Sequence, residues 1–169
     1  MRHFLKDGTI VLKIGHRISA DNRTYMTIAK CMDNSPEEGH HIKSKDYNMF
    51  LGHFSVSGER LVHDQDQEIT FILDDRVVGQ ISKNTGLIFE LEMGAGGNVC
   101  FANSPELRDD FKIGFSPWDV LDYSYGTLHS LANRTNYETP QTDFLHLPYP
   151  KETTTFWKMV ESGRKIRKT

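Results

Sequence analysis

The stretch from Gly114 to Leu131, GFSPWDVLDYSYGTLHSL, brings Trp118, Asp122, Tyr125 and His129 within four helical turns of one another. A carboxylate and an imidazole on one face are the usual partners in general acid–base chemistry. At 1.5 Å rise per residue, however, Asp122 and His129 stand about 10 Å apart along a helix axis, too far for a direct hydrogen bond. Tyr125 lies three residues from Asp122 and four from His129, so it reaches both. The row Asp122–Tyr125–His129, with Trp118 beside it, reads as the rim of a small-ligand pocket. The competing reading is the solvent boundary of a helix that packs on a core.

A second set of residues with chemical meaning is the basic end of the chain. Arg164, Lys165, Arg167 and Lys168 crowd into GRKIRKT, a pattern suited to a phosphate or an acidic protein surface. No aromatic residue is interleaved for base stacking, and the alternative is a solvated, frayed terminus. The segment from Lys151 onward carries a net +4, and residues 1–150 a net −7. The whole chain, at −3, argues against broad non-specific nucleic-acid binding.

Other candidates are weaker. His40-His41 and His63-Asp64-Gln65-Asp66 lack the spacing that makes a zinc site specific, so no metal is assigned; His53, His63 and Asp66 are the first place to look for one. Gly94-Ala95-Gly96-Gly97 precedes a strand-like run rather than a helix, which disfavours phosphate binding and favours a hairpin turn. Cys100, in Val99-Cys100-Phe101, reads as an inert buried thiol. No nucleophile elbow occurs, and no cofactor is implied.

The elements that would position these residues are mostly strands. Ile10, Leu12 and Ile14 alternate, Asp21-Asn22 marks a turn, and Thr24 to Met32 completes a hairpin. Asp33 to His41 reads as a polar loop and Tyr47 to Val56 as a strand. Ile69, Phe71 and Leu73, then Val77, Gly79 and Ile81, then Leu87 to Met93, then Val99 to Ala102, read as four strands joined by short turns, an antiparallel meander. Ser116-Pro117-Trp118-Asp119 is a helix start with capping-box spacing. On that helix Trp118, Leu121, Tyr125, Leu128 and Ala132 form the apolar stripe, with Asp119, Tyr123 and Thr127 opposite. Gly126 permits close approach to a neighbour or breaks the helix, and Glu152 to about Ser162 is a further helix.

The fold expected is α+β: a mainly antiparallel sheet of six to eight strands, curled towards a half-barrel, with the Ser116 helix across one face. A closed barrel or sandwich is the alternative. Residues 1–150 form one domain, with 151–169 a helix and basic tail. No leader pattern and no membrane span is found, and two cysteines suit a reducing cytoplasm. Without a chemistry-fixing motif, the function expected is non-catalytic binding or regulation of another macromolecule, through a protein partner or through nucleic acid at the basic tail. A small-ligand binder using a helix–sheet cleft, and a hydrolase or lyase using histidine and carboxylates, are the alternatives.

Overall fold

The computed structural model describes residues 10–30, 38–44, 46, 55–56, 59–60, 68–91, 112–134 and 144–168. Cys31, His53, His63, Asp66, Cys100, the Gly94–Gly97 turn and the Val99–Ala102 run lie outside the described residues. The chain divides into two compact units. The first comprises Met1–Val77 and Leu131–Pro148, the second Val78–Ser130 and Tyr149–Thr169.

The first unit is built on a five-stranded sheet of order β3-β6-β1-β2-β9. Its strands are β1 (Ile10–Ile18), β2 (Thr24–Lys30), β3 (His40–Ser44), β6 (Ile69–Leu73) and β9 (Phe144–Pro148). The β1–β2 hairpin matches the sequence reading: Ser19 N–H bonds Arg23 O, and Asn22 adopts a φ of 64°, which asparagine tolerates in a turn. One sheet face is the core. Leu12, Ile14, Met26, Ile28, Phe71, Leu73 and Leu147 are all fully buried on it, each stabilising by about 1.5–3 kcal/mol. A short antiparallel pair, β4 (Ser55–Val56) and β5 (Glu59–Arg60), stands apart.

Three expectations need correction. The sheet is mixed: β1 pairs with β6 in parallel, Ile10 opposite Ile69 through Ile14 opposite Leu73, and the sheet does not close into a barrel. His40 and His41 belong to β3, bonded to β6, rather than to a loop. The segment expected as a strand at Val77–Ile81 is a helix, α1 (Asp75–Thr85). Asp74 caps it, accepting the Arg76 N–H at 2.8 Å, and Gly86 ends it at φ 76°, a conformation that favours glycine. Val77 and Ile81 alternate with Gly79, but they are also one helical turn apart, and both are fully buried.

The second unit holds two further helices, α2 (Pro117–Arg134, of which residues to Ser130 belong here) and α3 (Thr153–Lys168). It also contains a two-residue parallel pair, β7 (Ile88–Phe89) with β8 (Gly114–Phe115). The capping box forms reciprocally: Ser116 N–H donates to the Asp119 carboxylate at 2.9 Å, and Asp119 N–H to Ser116 Oγ at 3.3 Å. Phe115, Tyr123 and Phe156 form the aromatic centre, with ring centroids 5.5–5.6 Å from Phe156.

The apolar stripe assigned to α2 also needs correction. Trp118 is 42% exposed, whereas Tyr123, Asp119 and Thr127, expected on the wet side, are buried. The cause is α3, which packs against α2 at two glycines. A Cβ on Gly126 would lie 2.2 Å from Met159 O, and one on Gly163 would lie 1.9 Å from Asp122 O. Only hydrogen side chains permit that approach, so α2 is covered on the side where periodicity had placed solvent.

Candidate functional site

The second unit contains both sets of residues singled out in the sequence. Asp122, 1% exposed, accepts a bidentate pair from Arg167: Nε to Oδ1 at 2.9 Å and Nη2 to Oδ2 at 3.2 Å. Arg164 reaches Asp119 at 3.5 Å and Asp122 at 3.9 Å. Burial pushes the Asp119 carboxyl upward, opposed by the Ser116 N–H and by the charges of Arg164 and Lys112. Lys165 bridges Glu161 at 2.9 Å on the surface, and α3 runs through Lys168. Arg164 and Arg167 are thus turned inward as part of a clasp between α2 and α3.

The four ligand-site residues do not share one open wall. Asp122 and Tyr125 are buried, while Trp118 and His129 are exposed. Burial pushes the Tyr125 hydroxyl up to about 12. Through Asp122 the arrangement joins α2 to α3. Among the described residues no group of three or more His, Cys, Asp or Glu could hold a metal ion, and no helix is long and apolar enough to cross a membrane.

A different surface has the geometry for recognition: the sheet face opposite the core in the first unit. Because side chains alternate along a strand, the residues that pair across strands share a face. One row runs His41–Ile72–Lys13–Ala29–Phe144, and the next Gly15–Thr27–His146. Arg17–Tyr25–Pro148 forms a third row, and Lys43–Thr70–Val11 a fourth. Arg17, His41, Lys43 and His146 are exposed, Lys13, Tyr25 and Thr27 are half-buried, and Val11, Thr70 and Ile72 are buried. No aspartate or glutamate occupies a paired position on this face.

The corner of this face is organised by two rings. Tyr25 and His146 stand 4.6 Å apart, tilted by 31°. Desolvation, then the charge of Arg17, hold His146 below its ordinary value of 6.5, so the imidazole is neutral beside a permanent cation at pH 7. Gly15 lies between Lys13 and Arg17, and a Cβ there would come within 3.1 Å of Thr27 Oγ1. The signal for this face was present in the sequence: Lys13, Gly15 and Arg17 are the alternate positions to Leu12, Ile14 and His16. The apolar alternation of the hairpin thus marks, by its complement, the second face of the sheet.

No curated protein and no solved structure matches the chain. A family model does: residues 32–169 match the Type ISP C-terminal specificity domain. The match begins after β2, so Lys13, Arg17 and Tyr25 precede it, while His41, Lys43 and His146 fall within it. Strands β1 and β2 are nevertheless integral to the sheet, since they stand between β6 and β9 in its order. With all but its first 31 residues covered, the chain belongs to the Type ISP C-terminal specificity domain family.

Proposed function

We propose that this chain is a non-catalytic DNA-recognition module, contributing sequence specificity to a restriction enzyme, and that it contacts DNA through the outer sheet face of its first unit. Membership of a specificity-domain family carries the reading. The sheet face supports the placement. Arg17 and Lys43 supply cations for phosphates, Lys13 adds one whose charge also acts on the Asp74 carboxylate, and Tyr25, Thr27 and His146 supply shorter-range contacts. The negative net charge of the chain is compatible with this, because a phosphate contact depends on the local cations and is screened over roughly 8–10 Å at physiological salt.

The test is binding of the full chain to a pool of randomised duplexes, followed by selection of the retained fraction. Retention that weakens as salt rises, with a base sequence enriched over successive rounds, supports the reading. Absence of binding at low salt, or retention with no enriched sequence, overturns it.

A further inference from the structure

At the end of β6 the fold holds a guanidinium in one orientation beside the outer sheet face. Side chains alternate along a strand, so Asp74 follows Ile72 onto that face. The Asp74 N–H donates to Ile14 O at 3.0 Å, which keeps the residue alongside β1. Its carboxylate accepts two bonds from the Arg76 side chain, Nε to Oδ1 at 3.1 Å and Nη2 to Oδ2 at 2.9 Å. Oδ1 also accepts the Arg76 backbone N–H. The Arg76 side-chain bonds, against the opposing effect of burial, hold the Asp74 carboxyl below the usual carboxylate range, and the charge of Lys13 acts in the same direction. Asp75, the neighbouring carboxylate, meets His40 Nε2 at 2.8 Å.

Two properties suit Arg76 to reading a base rather than holding a phosphate. The first is support. The Asp74 side chain is 12% exposed and that of Arg76 66%, so a fixed acceptor holds a fork that projects to solvent. A guanidinium is planar and has five N–H donors. Asp74 takes the Nε–Nη2 edge, and the edge formed by Nη1 and the second Nη2 proton points away from it. A side chain held in this way loses little rotamer freedom when it binds. The second property is charge. With Asp74 against it, Arg76 attracts a phosphate less than an uncompensated cation does, while its donors keep their geometry. The acceptor that matches such a fork is a neutral group with two acceptor atoms side by side. In the major groove guanine alone presents that pair, O6 and N7.

From this geometry we propose that Arg76 is a specificity-determining residue that reads one guanine through O6 and N7 in the major groove, with Asp74 as its positioning residue. The assignment rests on the DNA contact proposed for this sheet face and adds the base that one of its side chains selects.

The test starts from the duplex that the full chain selects out of a randomised pool. Each guanine of that duplex is replaced in turn by 7-deazaguanine, which keeps O6 and has C–H in place of N7, and affinity is read by fluorescence anisotropy. At one guanine the replacement should weaken binding by the parent chain about tenfold. Arg76→Ala should bind the unmodified duplex roughly five- to hundredfold more weakly, accept other base pairs at that position, and be indifferent to the replacement there. Asp74→Asn keeps a capping residue on α1. It should lose most of the preference at the same base pair and retain the preferences elsewhere. A selected duplex in which no guanine N7 matters would overturn the assignment. So would an Arg76→Ala chain that keeps every base preference, or one that weakens equally on all duplexes, as loss of a phosphate contact does. An unchanged preference in Asp74→Asn overturns the positioning by Asp74. In each of these cases the parent still selects a sequence, so the DNA reading stands. If the parent enriches no sequence, the DNA reading falls and this assignment falls with it.

Discussion

Two groups of cations in this chain have different surroundings. On α3, Arg164 and Arg167 lie against Asp119 and Asp122, and the four side chains form a part-buried clasp at the α2–α3 contact. On the sheet, Arg17, Lys13 and Lys43 share a face whose paired positions contain no carboxylate, and the Asp74 carboxylate just beyond β6 feels the charge of Lys13. The tail has the denser cluster of basic residues in sequence, yet much of its charge is compensated within the fold. A cation count along the chain therefore says little about where an anion binds; the carboxylates brought beside those cations by folding decide it.

The sharpest way to break the contrast is at the helix contact. Gly163→Ala places a Cβ where the Asp122 carbonyl already stands. Alanine favours a helix by about 1 kcal/mol over glycine, but forced separation of α2 and α3 outweighs that, and we expect a net loss of about 3 kcal/mol or more. Urea unfolding measures it. A midpoint at or above that of the parent would mean that the close approach of the helices is not what holds them.

Next in size is Asp122→Ala, which leaves Arg167, 20% exposed at its side chain, without its bidentate acceptor. We expect about 2–3 kcal/mol of destabilisation by the same measurement, less than for a fully buried pair because water reaches the guanidinium. If the clasp is structural, as the contrast requires, Arg164→Ala should leave DNA affinity and its salt dependence unchanged under conditions where the variant is folded. A loss of affinity there would return the basic tail to the binding surface.

On the other side of the contrast, Arg17→Ala should weaken DNA binding about tenfold and reduce the slope of log affinity against log salt by about one. Fluorescence anisotropy across a salt series measures both. An unchanged slope would remove Arg17 from the phosphate contacts and with it the assignment of this face.

How much of this was legible in the sequence depends on the range over which each feature is specified. The β1–β2 hairpin and the Ser116–Asp119 capping box are encoded within a few residues, and both appear as read. The segment at Val77–Ile81 is ambiguous because positions 77 and 81 suit either a strand or a helix; Asp74, read as a turn residue, is the cap that decides it. The parallel pairing of β1 with β6 joins strands more than fifty residues apart and leaves no local mark. The burial of Asp119 and Tyr123 likewise comes from α3, so α2 alone could not announce it. The cationic sheet face lay between these cases. Its residues alternate visibly in β1, but their company in β2, β3 and β9 exists only once the sheet is assembled.

The smallest expected effect tests the corner where the rings meet. His146 titrates below 6.5 in the folded chain, through desolvation and the charge of Arg17. The unfolded chain therefore takes up this proton at a higher pH than the folded one, so the contribution of neutral His146 to stability is present above about pH 6.5 and is lost as pH falls through that region. DNA reverses the local field. A phosphate beside Arg17 offsets its charge and favours imidazolium, so binding at this corner draws a proton onto His146. Affinity should then rise about two- to fivefold between pH 7.5 and pH 6, and His146→Asn should flatten that rise. If His146→Asn keeps the full pH dependence, the Tyr25–His146 corner lies outside the contact, and the DNA path over this sheet must run along the Lys13–Lys43 side instead.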